Sequence, residues 1–271
     1  MWARVLGSAA GGGSPQWNCH CRVCTAVRSG AGHSRTQSSL AVSADRRQWF
    51  LFNASPDVRV QVDALPLSAV LLTDAELDHS AGLLLLREAD VLELYATAAV
   101  YRTLHDGSGL LPLLARYCRI EWRPVDLDVP FPLAPGLTCQ AFDVPTTKKD
   151  RFGVGVDAGR VVGYRITDTN TGGTLVYVPG AQTLPAIDPC DVLLFDGSFY
   201  RDDEMGARTA FSMGHLAIED SLGPLSSLGA GRVLYVHINN TNPILLDDSP
   251  ERRAVEACGL EVAMDGLEVE L

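Results

Sequence analysis

The chain has 271 residues, 46% of them hydrophobic, and a formal net charge of −11 with a pI near 4.9. That composition excludes disordered and fibrous classes, and the acidic balance argues against a nucleic-acid partner, which needs a concentrated basic face. No run reaches the ~18 apolar residues of a membrane span, and the N-terminus lacks the features of a signal peptide, so a cytoplasmic protein with no membrane partner is expected.

The first feature along the chain is a cysteine cluster. Cys19, Cys21 and Cys24 form a C-x-C-x-x-C run just after Gly11-Gly12-Gly13. Three thiolates at this spacing can converge on one tetrahedral zinc, with a fourth ligand from elsewhere. Three free thiols or a redox pair is the blander alternative. Cys118, Cys139, Cys190 and Cys258 are isolated from one another and are expected to be buried structural residues. His20, His33 and His105 are expected to be exposed or turned away from any site.

Leu40–Ser43 and Trp49–Asn53 read as paired strands around the polar turn Asp45-Arg46-Arg47. Leu67–Thr73 is an apolar run that stops in polar chemistry, as a buried strand delivering a site does. It leads into Thr73-Asp74-Ala75-Glu76-Leu77-Asp78-His79. A helix is expected over Gly82–Ala89, a strand over Leu92–Ala96, and one or two helices over Val100–Tyr117, interrupted at Gly107-Ser108-Gly109. Strands follow at Leu137–Val144, Val161–Thr167, Thr174–Val178, Val192–Phe195 and Val233–Val236, the last two stopping at Asp196 and His237. A partly helical stretch, His215–Leu228, is expected to break at Gly223-Pro224. Many strands with helices in both halves predict an α/β sandwich.

The Asp74-to-His79 segment resembles the metallo-β-lactamase superfamily motif H-x-H-x-D-H. Asp74 and Glu76 stand where the two leading histidines would be, while Asp78 and His79 are kept. An acid-rich capping turn is the alternative reading. His237 stands at a late strand end, where that superfamily places its last metal ligand. The mid-chain run Phe142-Asp143-Val144-Pro145-Thr146-Thr147 carries no histidine, and Tyr177-Val178-Pro179-Gly180 carries no bridging acid. The first of two metal positions is thereby dismantled. Asp78, His79 and His237 remain, the two-histidine, one-carboxylate set associated with non-haem iron(II) and open positions for dioxygen. Asp74 and Glu76 are candidate pocket residues, and Asp196 and His215 candidate proton-transfer groups.

At finer grain, the chain resembles the coenzyme PQQ synthesis protein B family along nearly its whole length. The resemblance rests on Val5–Gly13, Pro15-Gln16-Trp17-Asn18-Cys19, Asn53-Ala54-Ser55-Pro56-Asp57 and the modified Asp-His motif. Met213-Gly214-His215-Leu216, His237-Ile238-Asn239-Asn240-Thr241-Asn242-Pro243 and Ser249-Pro250-Glu251-Arg252 complete it. It implies a four-layer αββα sandwich of the metallo-β-lactamase type, one domain over residues 1–271 with a zinc loop at about 14–26. It also implies a place in pyrroloquinoline quinone (PQQ) biosynthesis. The implied chemistry is iron(II)- and O2-dependent hydroxylation of the tyrosine ring in the Glu–Tyr unit derived from the PqqA peptide. A carrier of PQQ or its precursor toward the periplasm and a zinc hydrolase are the alternatives, and a homodimer is left open. Related zinc loops are closed by a histidine at the position of Asn240, so Asn240, a water or His237 itself is the candidate fourth ligand. The stretch Phe142–Gly163 is shorter than the family pattern.

Overall fold

A computed structural model describes residues 1–152 and 158–271; residues 153–157, within the stretch Phe142–Gly163, lie outside the described residues. The strands are β1 (Trp2–Gly7), β2 (Ser39–Ser43), β3 (Trp49–Phe52), β4 (Leu67–Leu71), β5 (Val91–Ala96), β6 (Arg119–Pro124) and β7 (Phe131–Ala134). They continue with β8 (Leu137–Asp143), β9 (Val162–Asp168), β10 (Thr174–Val178), β11 (Val192–Asp196), β12 (Arg232–Val236), β13 (Glu261–Val262) and β14 (Glu268–Glu270). Among the described residues they form two seven-stranded sheets, in the orders β14-β1-β2-β3-β4-β5-β6 and β13-β12-β11-β10-β9-β8-β7. Each sheet is mixed. Strands β3 to β6 run parallel in the first, and β10 to β13 run parallel in the second.

The strands alternate in a way that explains the layering. Phe50, Phe52, Ala69 and Leu71 pack inward against Leu175, Tyr177, Leu194, Leu234 and Val236 of the other sheet. Their neighbours Trp49, Leu51, Val70 and Leu72 face out, onto Val58, Leu83, Val100, Leu104 and Leu114 of the helical segments over the first sheet. On the second sheet Val176, Val178, Leu193, Phe195, Val233 and Tyr235 likewise face Val23, Ile218, Leu225 and Val255. Strands buried on both faces read as nearly continuous apolar runs, and a period of two divides each run between two cores. The result is the αββα sandwich that the resemblance implies.

Several local expectations need correcting. The helix expected over Gly82–Ala89 starts earlier and ends sooner: Leu77–Ser80 forms a single α-turn, and Ala81–Leu86 tightens into a 3₁₀ helix. The cause is the Asn53–Ala54 corner. Ala54 donates to the His79 carbonyl (2.8 Å) and accepts from Gly82 N–H (2.9 Å), groups an α-helix would use internally. Gly82 is required there, since a Cβ would lie 2.0 Å from the Ser55 carbonyl oxygen. The helix Ile218–Ser226 runs through Gly223-Pro224 rather than breaking there. Pro224 lies two residues from the helix end, so its missing N–H disturbs only the last turn. Cys258 is exposed, unlike buried Cys118, Cys139 and Cys190, because it caps the amphipathic surface helix Pro250–Ala257.

Candidate metal centre

The centre forms where β4 and β12, from different sheets, deliver their C-terminal ends to the same rim. Past β4, Thr73 is held by Asn53, whose Oδ1 accepts from Thr73 N–H and whose Nδ2 donates to Thr73 Oγ1, both at 2.9 Å. Asn53 adopts a left-handed conformation (φ +64°) to make this clasp, which asparagine tolerates better than most residues. Asp74 then turns inward and is 5% exposed. Its Oδ1 accepts from Glu76 N–H (2.9 Å), and its Oδ2 sits 2.7 Å from His79 Nδ1. The short turn Leu77–Ser80 presents Asp78 and His79 side by side.

Past β12, His237 also sits in the left-handed region, at φ +55°, a sparsely populated conformation that buried partners must hold in place. Ser198 does so. Its Oγ lies 2.8 Å from His237 Nδ1 and donates to Asp196 Oδ1 at 2.7 Å. The Nε2 of His237 is left facing Asp78 Oδ2 at 3.2 Å. His79 Nε2 lies 3.9 Å from the same oxygen, buried and without any hydrogen-bond partner among the described residues. Asp78, His79 and His237 thus bring three ligand atoms within 4.8 Å of one another.

The electrostatics favour a cation among them. Burial opposes ionisation of Asp78, but His79 and His237 overcome it and hold its carboxyl far below the usual carboxylate range. Burial likewise opposes charge on His237, but Asp196 and Asp78 on either side raise it to about 10. His79 is raised against burial by Asp74 and Asp78. Imidazoles that hold protons this firmly against ionised carboxylates mark a site where a metal ion can take the protons' place. The donor set fits a divalent metal ion: each histidine spends Nδ1 on a carboxylate or hydroxyl and offers Nε2, the usual outer-shell arrangement of a metal-binding imidazole.

Asp74 stands behind His79. Glu76 turns away from the cluster, its carboxylate held by Lys148 Nζ (2.8 Å) and Arg151 Nε (3.4 Å). Asp196 is fully buried, and its Oδ2 accepts from Ala181 N–H (2.9 Å) and pairs with His215 Nδ1 (2.7 Å). Burial opposes its charge, but His215 and His237 keep its carboxyl low. His215 stacks on His237, ring centroids 5.4 Å apart, and lines the cavity. Asp196, His215 and His237 also cluster, but hydrogen bonds already take up the Nδ1 atoms of both histidines. Ser198, which joins them, was missed in the sequence. Only the fold brings it to His237, although its place two residues after Asp196 is a weak signal.

On the far side of the loop after β12, the Cys19, Cys21 and Cys24 thiols also lie within 4.8 Å of one another. The helix Arg22–Arg28 starts on Cys21, whose Sγ accepts from Cys24 N–H at 3.4 Å. Arg28 ties the loop by donating to the Cys19 and Gln16 carbonyls. Asn240 closes the cluster: its Nδ2 is 3.2 Å from Cys24 Sγ, and its backbone oxygen is 3.6 and 3.7 Å from Cys21 and Cys24 Sγ. His237 spends its ring nitrogens on Ser198 and Asp78, not on the thiols. His20, His33 and His105 are all exposed.

A cavity of about 510 Å³ opens over the Asp78–His79–His237 cluster. Strand ends that bring metal ligands to one rim of a two-sheet sandwich define the metallo-β-lactamase class, and a model of the β-lactamase superfamily domain matches residues 48–238. Within that class the chain belongs to the coenzyme PQQ synthesis protein B family. It is 40% identical over 304 aligned residues to the protein of that name from Methylorubrum populi, covering all of both chains. It matches the crystal structure of Zn2+-bound PqqB from Methylobacterium extorquens at 38% identity over the whole of both chains, TM-score 0.89. A diphosphatase of the PhnP family shares the fold at 23% identity, over 100% of this chain and 98% of that one, TM-score 0.74.

Proposed function

We propose that the protein acts in PQQ biosynthesis as a mononuclear iron(II) oxygenase that hydroxylates the tyrosine ring of a Glu–Tyr unit derived from the PqqA peptide. The observation that carries this reading is the unpartnered, buried Nε2 of His79 beside Asp78 Oδ2 and His237 Nε2. Two imidazoles and one carboxylate suit iron(II) with open positions. Asp74 and Glu76 stand where a dinuclear hydrolytic centre would have its two leading histidines, and neither Phe142–Thr147 nor Tyr177–Gly180 supplies the further histidine and bridging acid it would need. Asp74 and Glu76 are engaged by His79 and by Lys148 and Arg151.

Iron(II) held by Asp78, His79 and His237 would supply the redox chemistry with dioxygen. Each hydroxylation replaces one ring C–H by C–OH with an oxygen atom from O2; two electrons from an external reductant and two protons carry the other atom to water. The chain's own residues orient and protonate. Asp74 fixes the tautomer and tilt of His79, as Ser198 does for His237. The Asp196 carboxylate orients His215, which faces the cavity and can hold or pass a proton to the substrate. Cys19, Cys21 and Cys24, with Asn240, hold a structural zinc that braces the loop delivering His237. No described helix is long and apolar enough to cross a membrane, which gives the carrier reading no spanning element to act through.

The test is single-turnover reaction of anaerobically iron-loaded protein with a Glu–Tyr substrate and 18O2. Incorporation of one 18O per hydroxyl formed supports the reading. Product oxygen drawn from water, or no product with iron bound, overturns it.

A further inference from the structure

The cavity over the cluster is lined by cationic side chains that the ligand set does not use. Its lining contains four carboxylates and four cationic side chains. Asp74 is satisfied by His79. Asp78 faces the two histidines. Asp150 accepts from Phe152 N–H (2.8 Å) and Thr103 Oγ1 (3.4 Å), and Glu76 takes both Lys148 and Arg151. That leaves Arg160 and Arg208. Arg160 donates only to the Lys148 carbonyl oxygen, at 3.0 Å, and neither guanidinium meets a carboxylate among the described residues. These two guanidinium groups line the same cavity as the histidine–aspartate cluster without a carboxylate partner of their own, and arginine forks match carboxylates bidentately.

Arg160 is also built to hold its position. The preceding Gly159 is fixed on both sides, donating to Asp143 Oδ1 (2.6 Å) and accepting from Thr97 Oγ1 (2.6 Å). The following Val161 accepts from Val144 N–H at 2.9 Å. Arg208 rides on a turn closed by Met205, whose base is tied down by Glu204. That carboxylate accepts from Tyr200 N–H and from Thr241 Oγ1, in the loop that follows His237. Both arginines are therefore carried on backbone anchored independently of any ligand; the Arg160 guanidinium is also held by the Lys148 carbonyl, whereas Arg208 is exposed.

We infer that Arg160 and Arg208 are specificity-determining residues that bind two carboxylates of an amino-acid-like substrate and so place its ring over the metal cluster. This rests on reading the cavity as the active site. It selects polycarboxylate substrates over aromatic monocarboxylates.

The test is calorimetric binding to metal-loaded protein, without oxygen, of N-succinyl-L-tyrosine (two carboxylates) and 3-(4-hydroxyphenyl)propionate (one). The dicarboxylate is expected to bind at least tenfold tighter. Arg160→Met and Arg208→Met are each expected to weaken it about tenfold, in line with loss of a charged hydrogen bond, with bound metal unchanged. Arg160→Lys, which keeps the charge and the fold but loses the fork, is expected to fall between wild type and Arg160→Met. Equal binding of both probes by the wild type, or an unaltered preference in both methionine variants, overturns the inference. Because no turnover is read, failure of the oxygenase reading alone would leave the binding preference in place.

Discussion

Replacing Asp74 by Asn tests whether the buried cluster is held from behind. Asp74 uses two acceptor oxygens in opposite directions, Oδ1 toward Glu76 N–H and Oδ2 toward His79 Nδ1 and Thr73 Oγ1. An amide keeps only one acceptor. If its oxygen stays on Glu76 N–H, the NH2 group faces His79 and forces the tautomer whose Nε2 carries a proton, which blocks that ligand. If its oxygen faces His79, a buried N–H is left against another donor, a loss of about 1–3 kcal/mol. Removing such an outer-shell partner costs roughly 10–100-fold in metal affinity, or about 1.4–2.8 kcal/mol. Competition titration against a calibrated chelator, with zinc at the Cys loop followed separately, reads the effect. Asp74→Asn should weaken the histidine–aspartate site by that range and leave the loop zinc alone. Wild-type affinity at the cluster would refute the positioning argument, since the variant keeps the shape and removes only the acceptor.

Other expectations follow from the same geometry. His215→Ala should keep most of the bound iron yet slow product formation at least tenfold, read by metal analysis and single-turnover kinetics together. Cys21→Ser should lower zinc content and melting temperature, because a structural zinc contributes folding free energy; unchanged stoichiometry and Tm would remove that site. Zinc-supplied protein should show no hydrolysis of generic phosphodiester, thioester or β-lactam substrates at rates near ~1 per second. In metal-free protein Asp74, Asp78 and Asp196 are depressed, so their stabilisation is complete above the unfolded value of ~3.9 and is lost as pH falls through their folded values. His237 is raised to about 10, so its contribution is complete below the unfolded value of ~6.5 and is lost as pH rises toward about 10. Tm of the chelated protein should therefore be highest between about pH 4 and pH 6.5, and a maximum near pH 9 would contradict the charge assignments.

The candidate metal ligands are more legible in the sequence than the residues that support them. Asp78, His79 and His237 each follow an apolar strand, and a buried strand that stops at an ionisable residue is visible without coordinates. Asp196 was visible for the same reason, and His215 because it opens the stretch His215–Leu228 after Met213-Gly214. Ser198 was not, because its meeting with His237 depends on β11 and β12 lying side by side in parallel. The path of Glu76 was hidden too: an i, i+2 acid beside Asp74 gives no sign that Lys148 and Arg151, some seventy residues on, will draw it away. Among the elements, β1, β6, β7, β13 and β14 went unread, as did the helices Arg22–Arg28 and Pro250–Ala257. Several of these strands lie at sheet edges, where polar residues such as Glu121 and Arg123 blur the apolar run that made the central strands legible. The helix expected after His79 is a 3₁₀ segment; its apolar spacing suits either form, and the Ala54 hydrogen bonds decide between them.

Metal content of anaerobically prepared protein, wild type and His237→Ala side by side, tests the central claim most directly. The account predicts one iron and one zinc per wild-type chain, and in the variant zinc at full occupancy with iron lost. Iron retained by the variant would contradict the Asp78–His79–His237 assignment, and zinc lost together with iron would show that His237 serves the cysteine loop instead.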